Sequence, residues 1–337
     1  MKRFWFCLLF LFVVGCTATT PTLDLPVVDT PTASMAASAT LPPEVPPTQT
    51  PAPGRVWLVG SLPDGDFQAA VAALAGQSNL TLEVRPDLQT GLEAEVKMVL
   101  AGGNPAGLAS AVAAAPQVPF VVFGDAPDLP QATNVWRVRL RPQDQLFVAG
   151  YLTAILAPDW RSAALLPEDA GLLAKGSEVF TNGARYWCGR CAPTYGPVVL
   201  FPLTATLPSG SAPSAWLTAF DVLHEKRVEV VYVAPQAVSE ELLRGLAERQ
   251  VLVVSGGPLP DSAREIWAAA VMEDPAQTLQ EIWADVLAGQ PGQERLVALR
   301  VAEVNQRLLS PGRQERAELV IAALDEGLIS PFSVSVP

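Results

Sequence analysis

Residues 228–255 read VEVVYVAPQAVSEELLRGLAERQVLVVS. Val228–Val233 is a short, almost unbroken apolar run with branched side chains. Residues 239–249 carry the spacing of a helix, and Val251–Ser255 is a second apolar run. Strands that alternate apolar and polar residues have one wet face; a run apolar throughout is covered on both faces. Strand, helix and strand in this order form a parallel unit with a crossover helix, the building block of an α/β fold. Glu240 and Glu241 open the helix, where carboxylates complement its dipole.

The same alternation extends in both directions. Val56–Val59, Leu80–Val84, Val96–Leu100, Val118–Phe123, Val135–Leu140, Ser162–Leu166 and Val198–Phe201 read as further strands. Helical spacing falls over Asp64–Ala75, Pro105–Ala115, Gln143–Leu156, 170–186 and 213–226. Nine or more strands in ~280 residues exceed one ordinary sheet and predict two. Two late helices are marked by their ends. Asp274 and Pro275 start one, which Gly289 and Pro291 stop; Ser310–Pro311 start the last, which Gly327 closes.

Ahead of this body the composition differs. Met1–Cys16 reads MKRFWFCLLFLFVVGC: two basic residues, an 11-residue apolar run and a small residue before a cysteine. That is the layout of a secretory signal, and the run is shorter than the roughly 17–25 residues a spanning helix needs. The ending resembles a bacterial lipobox. It predicts a signal peptide over 1–15, acylation of Cys16, and an extracytoplasmic protein anchored to the cell membrane by an N-terminal lipid, with the several acyl chains that stable anchoring takes. Residues 16–54 are rich in Pro and Thr, with no aromatic, Lys or Arg. They predict a disordered tether reaching up to ~100 Å if extended as polyproline II.

The chain has 337 residues and a formal net charge of −12. Loss of Lys2 and Arg3 leaves 20 basic against 34 acidic side chains, −14, which argues against nucleic acid as a partner. Beyond Cys7 and Cys16, only Cys188 and Cys191 remain. Outside the cytoplasm a disulfide is their default; free thiols, redox or metal chemistry are the alternatives. A zinc site would need about four ligands, and His224 is the one histidine. No hydrolase elbow, phosphate loop or dinucleotide fingerprint occurs, so neither an enzyme nor a bound cofactor is predicted.

Parallel sheets bind ligands beyond the carboxyl ends of their strands. This rule selects Ser61–Gln68, where Asp66 and Gln68 offer hydrogen bonds and Phe67 either stacks on a planar ligand or joins the core. It also selects Gly102–Asn104 and Gly124–Asp125, with Asp125 a ligand group or a turn former. In the second half it selects Phe201, Pro235–Gln236 and Ser255–Gly256–Gly257.

Several stretches carry a resemblance. Asp64–Gln68 (DGDFQ), Pro119–Asp125 (PFVVFGD), Phe147–Leu156 (FVAGYLTAIL) and Glu326–Pro331 (EGLISP) resemble the basic-membrane-protein (BMP) family of lipoproteins, the purine-nucleoside-receptor-like branch of type I periplasmic binding proteins. The resemblance implies an α/β fold of two lobes, each a parallel sheet covered by helices: 55–140 with about 258–290, and 141–257 with about 291–337. It implies a solute-binding protein for an ABC importer, with ABC permease subunits as partners and a nucleoside or other small polar molecule as ligand. By matching position Phe67 would stack on the base, Gln68 would replace the family's Asn, and Asp125 would face the cleft. Ser255 and Gly256 stand where the family's ribose-gripping carboxylate is expected, and no Asp follows before Asp261. The altered loops at Ser255 and Pro235 leave a second reading, a transport-inactive sensor or structural lipoprotein of the same fold. A third is a redox protein using Cys188 and Cys191.

Overall fold

The computed structural model describes residues 53–60, 65–89, 91–168, 175–194 and 199–332. The signal peptide, Cys16 and the tether up to residue 52 lie outside the described residues, as do Ser61–Asp64.

The first lobe starts with β1 (Gly54–Gly60), α1 (Gly65–Gln77), β2 (Leu80–Arg85), β3 (Val96–Gly102), α2 (Leu108–Ala114), β4 (Phe120–Phe123) and β5 (Val135–Arg139). The chain then builds the second lobe from α3 (Pro142–Leu156), β6 (Ser162–Pro167), α4 (Gly176–Cys188), β7 (Leu203–Leu207), α5 (Pro213–His224), β8 (Val230–Val233), α6 (Glu240–Glu248), β9 (Leu252–Ser255) and β10 (Trp267–Asp274). It returns for α7 (Pro275–Leu287) and β11 (Glu294–Leu296), then crosses again for β12 (Ala298–Ala302) and α8 (Pro311–Asp325).

Each lobe holds a six-stranded sheet. The order is β11-β5-β4-β3-β1-β2 in the first and β12-β10-β9-β8-β6-β7 in the second. All pairings are parallel except β10 with β12. The unbroken Val and Leu runs follow from this, because both faces of each sheet are covered. In the first lobe Val56, Met98, Val121 and Trp136 face α1 and α7, while Trp57, Val99 and Phe120 face α2. In the second lobe Ala164, Tyr232 and Val254 lie under α3, α4 and α8, while Leu165, Val231 and Val253 lie under α5 and α6.

Helices α3 and α4 cross at unusually close range because glycines meet there. A Cβ added at Gly150 would stand 2.9 Å from the Phe180 carbonyl carbon; one added at Gly183 would stand 2.7 Å from that of Phe147. Gly150 is the glycine of the FVAGYLTAIL stretch. The late helix ends match their sequence signals: Asp274 accepts the Gln277 N–H at 2.9 Å, and Gly289 and Gly327 have φ of 69° and 67°.

The lobe boundaries differ from those expected. Residues 258–290 do not stay together: β10 belongs to the second sheet, the crossing falls at Asp274–Pro275, and only α7 packs on the first lobe. Residues 294–296 likewise join the first sheet rather than the second. The cause is compositional. β10 opens WAAAV, a strand of small residues buried between β9 and β12, without the branched run that marks β8 and β9. The second-lobe strand expected at Val198–Phe201 lies instead at Leu203–Leu207.

Three crossings, at Leu140–Arg141, Asp274–Pro275 and Val297, connect the lobes, and they are bonded to each other. The Arg141 N–H donates to the Glu273 carboxylate. The Thr278 hydroxyl donates to the Asp274 carbonyl at 3.1 Å and accepts the Ala298 N–H at 2.7 Å. Arg300 pairs with Asp274 at 2.7 Å.

Candidate functional site

The carboxyl ends of β6, β7 and β8 open into a cavity of about 350 Å³ in the second lobe, at the lower end of the volumes small-molecule sites occupy. Pro167 ends β6 and Glu168 follows it, Thr206 comes from β7, and Ala234–Pro235–Gln236 follow β8. The first turns of α3 and α4 close it with Pro142, Gln145, Leu146, Gly176 and Ser177. Tyr232 forms part of the wall. Complete burial raises its phenol above the ordinary tyrosine value, with the nearby Glu273 carboxylate adding to the effect, so the hydroxyl stays neutral.

Gln145 is held in one orientation. Its side-chain nitrogen donates to the Gly256 carbonyl at 2.8 Å and to the Val271 carbonyl at 2.7 Å. Only the amide nitrogen can donate to two carbonyls, so the Oε1 position is fixed by exclusion. These bonds also tie α3 to the ends of β9 and to β10.

In the first lobe the carboxyl ends of β4 and β5 form a smaller hollow of about 230 Å³, lined by Gly124, Asp125, Arg139, Leu140 and Gln143. Arg139 pairs with Glu294 at 3.0 Å. Gln143 lines one hollow while Pro142 and Gln145 line the other, so both meet the first turn of α3. A further hollow of about 440 Å³ lies beside α2 at the amino ends of β3 and β4, the pole where a parallel sheet forms no ligand crevice.

Beneath α3 sits a charged cluster. The Arg141 side chain, 2% exposed, bonds Asp144 at 2.6 Å and also pairs with Asp325. Glu273 is pushed above its ordinary carboxyl value by desolvation, which outweighs the stabilising Arg141 N–H and cation. The cluster places charge at the crossing, not in the cavity.

The candidate residues from the sequence separate. Asp125 lines the first-lobe hollow, and Pro235 and Gln236 line the cavity. Asp66 and Gln68 are exposed on the first turn of α1. Phe67 is 2% exposed and packs edge-to-face on Phe123, ring centres 5.3 Å apart; of its two sequence-derived places, the structure gives it the core, because apolar burial of a phenyl ring against Leu58 and Phe123 outweighs its exposure at a loop. Ser255 is fully buried. Its hydroxyl donates to the Gly257 carbonyl at 2.6 Å and accepts the Trp267 indole N–H at 3.0 Å, so it shapes the turn instead of facing the cavity. Gly256 is needed for a close approach: an added Cβ would stand 2.8 Å from Pro235 Cδ and nearer still to the Tyr232 hydroxyl. Its carbonyl, as described, holds Gln145. Phe201 is buried in the second-lobe core.

The sequence singles out neither Gln145 nor Ser177 nor Thr206; Glu168, beside Asp169, reads there as a carboxylate at a helix start that complements the dipole, whereas the structure places it just past the end of β6. Glu168 and Thr206 were open to the carboxyl-end rule once the strands were placed; Gln145 was not, since its partners lie 111 and 126 residues away.

Cys188 and Cys191 sit at disulfide distance, their Cα atoms 5.1 Å apart, at the carboxyl end of α4. Cys191 is 1% exposed. A reactive thiol pair is favoured at a helix N-terminus, where the dipole stabilises thiolate; this position lacks that help. His224 ends α5, stacked on Phe220. Among the described residues no group of three or more His, Cys, Asp or Glu could hold a metal, and no helix is long and apolar enough to cross a membrane.

No protein-family model matches the chain, and no curated protein matches its sequence. Solved structures do resemble it. A transcriptional activator of the comK gene from Bacillus halodurans superposes with a TM-score of 0.56 at 12% identity, covering 82% of this chain and 99% of that one. A solute-binding protein of an ABC transporter system from Aeropyrum pernix K1 gives 0.53 at 11% identity, over 83% and 87%. GanP, a glucose-galactose binding protein from Geobacillus stearothermophilus, gives 0.51 at 14% identity, over 77% and 99%. The chain has the two-lobed type I periplasmic-binding-protein-like fold: two sheets of mostly parallel strands, each covered by helices.

Proposed function

We propose that this chain is an extracytoplasmic, lipid-anchored solute-binding protein that performs no chemistry and presents a small polar ligand to the permease subunits of an ABC importer. The observation that carries the reading is the cavity of about 350 Å³ at the carboxyl ends of β6–β8. Its polar groups converge from separate elements, as specific small-molecule sites require, and it lies against the helix that follows the first interlobe crossing. Ligand held there would favour a closed arrangement of the lobes by population shift. The signal sequence, Cys16 and the Pro/Thr-rich tether supply the anchor in this account. A nucleoside belongs to the ligand class, although the burial of Phe67 removes the aromatic wall on which a base would stack.

Thermal unfolding of the full chain in detergent, against sugars, amino acids, nucleosides and nucleobases, tests the binding reading. A ligand that binds only the folded state must raise the melting temperature as its concentration rises. A silent panel would move the assignment to a transport-inactive sensor or structural lipoprotein, which the internal engagement of Ser255 and the core position of Phe67 favour. The anchor is tested separately: Cys16→Ser must shift the protein from the membrane to the soluble extracytoplasmic fraction, and unchanged membrane retention would refute lipidation at that residue.

A further inference from the structure

We propose that the second-lobe cavity selects an ammonium-bearing, hydroxyl-rich small solute, with Glu168 as its charge partner and the Gln145 amide oxygen as the orienting acceptor. This rests on the solute-binding reading and names the ligand class.

Gln145 spends both amide hydrogens on the Gly256 and Val271 carbonyls. What it offers a guest is therefore an acceptor, and the fixed amide cannot flip to offer a donor without abandoning two bonds. Glu168 is the first residue beyond β6. Its own N–H donates to the Leu207 carbonyl at 2.8 Å, extending the β6–β7 ladder and pinning its backbone at the cavity mouth. The side chain is exposed and takes part in no ion pair among the described residues.

Among the described residues no cation opposes it. Neither Lys nor Arg lines the cavity. The two basic residues nearest in sequence, each seven positions away, are engaged elsewhere: Lys175 lies over the Phe332 ring at 5.7 Å, and Arg161, before the amino end of β6, is 3.9 Å from both Asp159 and Glu229. Arg141 is enclosed by Asp144 and Asp325, and in the first-lobe hollow Arg139 is paired with Glu294 while Asp125 adds a second carboxylate. The field at the site is set by acids. An ammonium group offers three donors and a positive charge, which matches a carboxylate and an amide oxygen together. Hydroxyls of the guest meet Ser177, Thr206 and Gln236, which can donate or accept. An anion would meet Glu168 with nothing to neutralise it.

The test uses three probes built on one sugar ring: glucosamine, glucose and glucuronate, titrated calorimetrically into the full chain in detergent. Glucosamine is expected to bind at least tenfold tighter than glucose, with glucuronate undetectable and the glucosamine affinity falling as salt is added. E168Q is expected to bring glucosamine within about twofold of glucose, with an unchanged melting curve showing that the variant is folded, since Glu168 is exposed. Equal or tighter binding of glucose or glucuronate overturns the assignment, as does an E168Q protein that keeps its preference for glucosamine. If none of the three binds, the ammonium assignment falls. The wider panel then separates the two claims: stabilisation by another solute leaves the solute-binding reading standing, and a silent panel removes both.

Discussion

Replacing Gly150 by alanine tests the α3–α4 crossing on which the cavity depends. The added Cβ would stand 2.9 Å from the Phe180 carbonyl carbon, closer still to its oxygen, and 3.1 Å from the Ala184 nitrogen. Ordinary Cβ contacts begin at 3.4 Å and real ones are essentially never under 3.0 Å. The obstructing atoms are helical backbone, which cannot rotate away as a side chain would, so the two helices must part. Overpacking of a tight core costs about 1–3 kcal/mol, occasionally more, and the rigid obstacle places this site at the upper end, about 3 kcal/mol. At about 2–4 °C per kcal/mol for a domain of 150–250 residues, the melting temperature should fall by roughly 6–12 °C, measured by circular dichroism at 222 nm. The same displacement would move Gly176 and Ser177 away from Pro142 and Gln145, so ligand affinity should fall with it. Gly312→Ala is the control: nothing lies within 4 Å of an added Cβ there, and alanine in place of a helical glycine is neutral or stabilising by up to ~1 kcal/mol. If the Gly150 variant melted within about 2 °C of the parent, well inside the range above, backbone apposition would not be what sets the α3–α4 distance.

Two further outcomes follow from the buried polar groups. Ser255→Ala strips the Trp267 indole N–H of its acceptor in a fully buried position, which should cost about 1–3 kcal/mol in urea unfolding; a loss near zero would mean another acceptor takes over. Glu273 has a folded-state carboxyl raised above its ordinary 4.5 by burial. The folded protein therefore holds this proton more tightly than the unfolded chain, so the contribution is complete below about 4.5 and is lost as pH rises through the folded value. Glu273→Gln keeps a carbonyl for the Arg141 N–H and should flatten that part of the stability–pH curve; an unchanged slope would assign the effect to other groups.

Much of the architecture could be read from residue pattern. Apolar runs such as Val228–Val233 and Val251–Ser255 are strands because both faces of the sheet are covered, and Asp274, Gly289 and Gly327 mark helix ends through local backbone chemistry. The pattern failed where burial was achieved with small residues. β10, opening WAAAV, shows no branched run, so the crossing at Asp274 was placed too early. The site was legible to the extent that strand ends define it: Asp125, Pro235 and Gln236 line hollows. Phe67 and Ser255 lie at strand or helix ends too, yet their side chains turn inward, and residue type does not reveal direction. Gln145 was beyond reach because its role is set by two carbonyls, one just past β9 and one in β10, that the chain makes more than a hundred residues later.

Residues 141–145, the cap and first turn of α3, carry the crossing cluster and border both hollows. In the proposed reading, recognition and articulation share the same five residues. Titration curves and closing rates should change together when that stretch is altered, whereas substitutions at Glu168 or Thr206 should change occupancy while leaving the opening motion of the empty protein as it was.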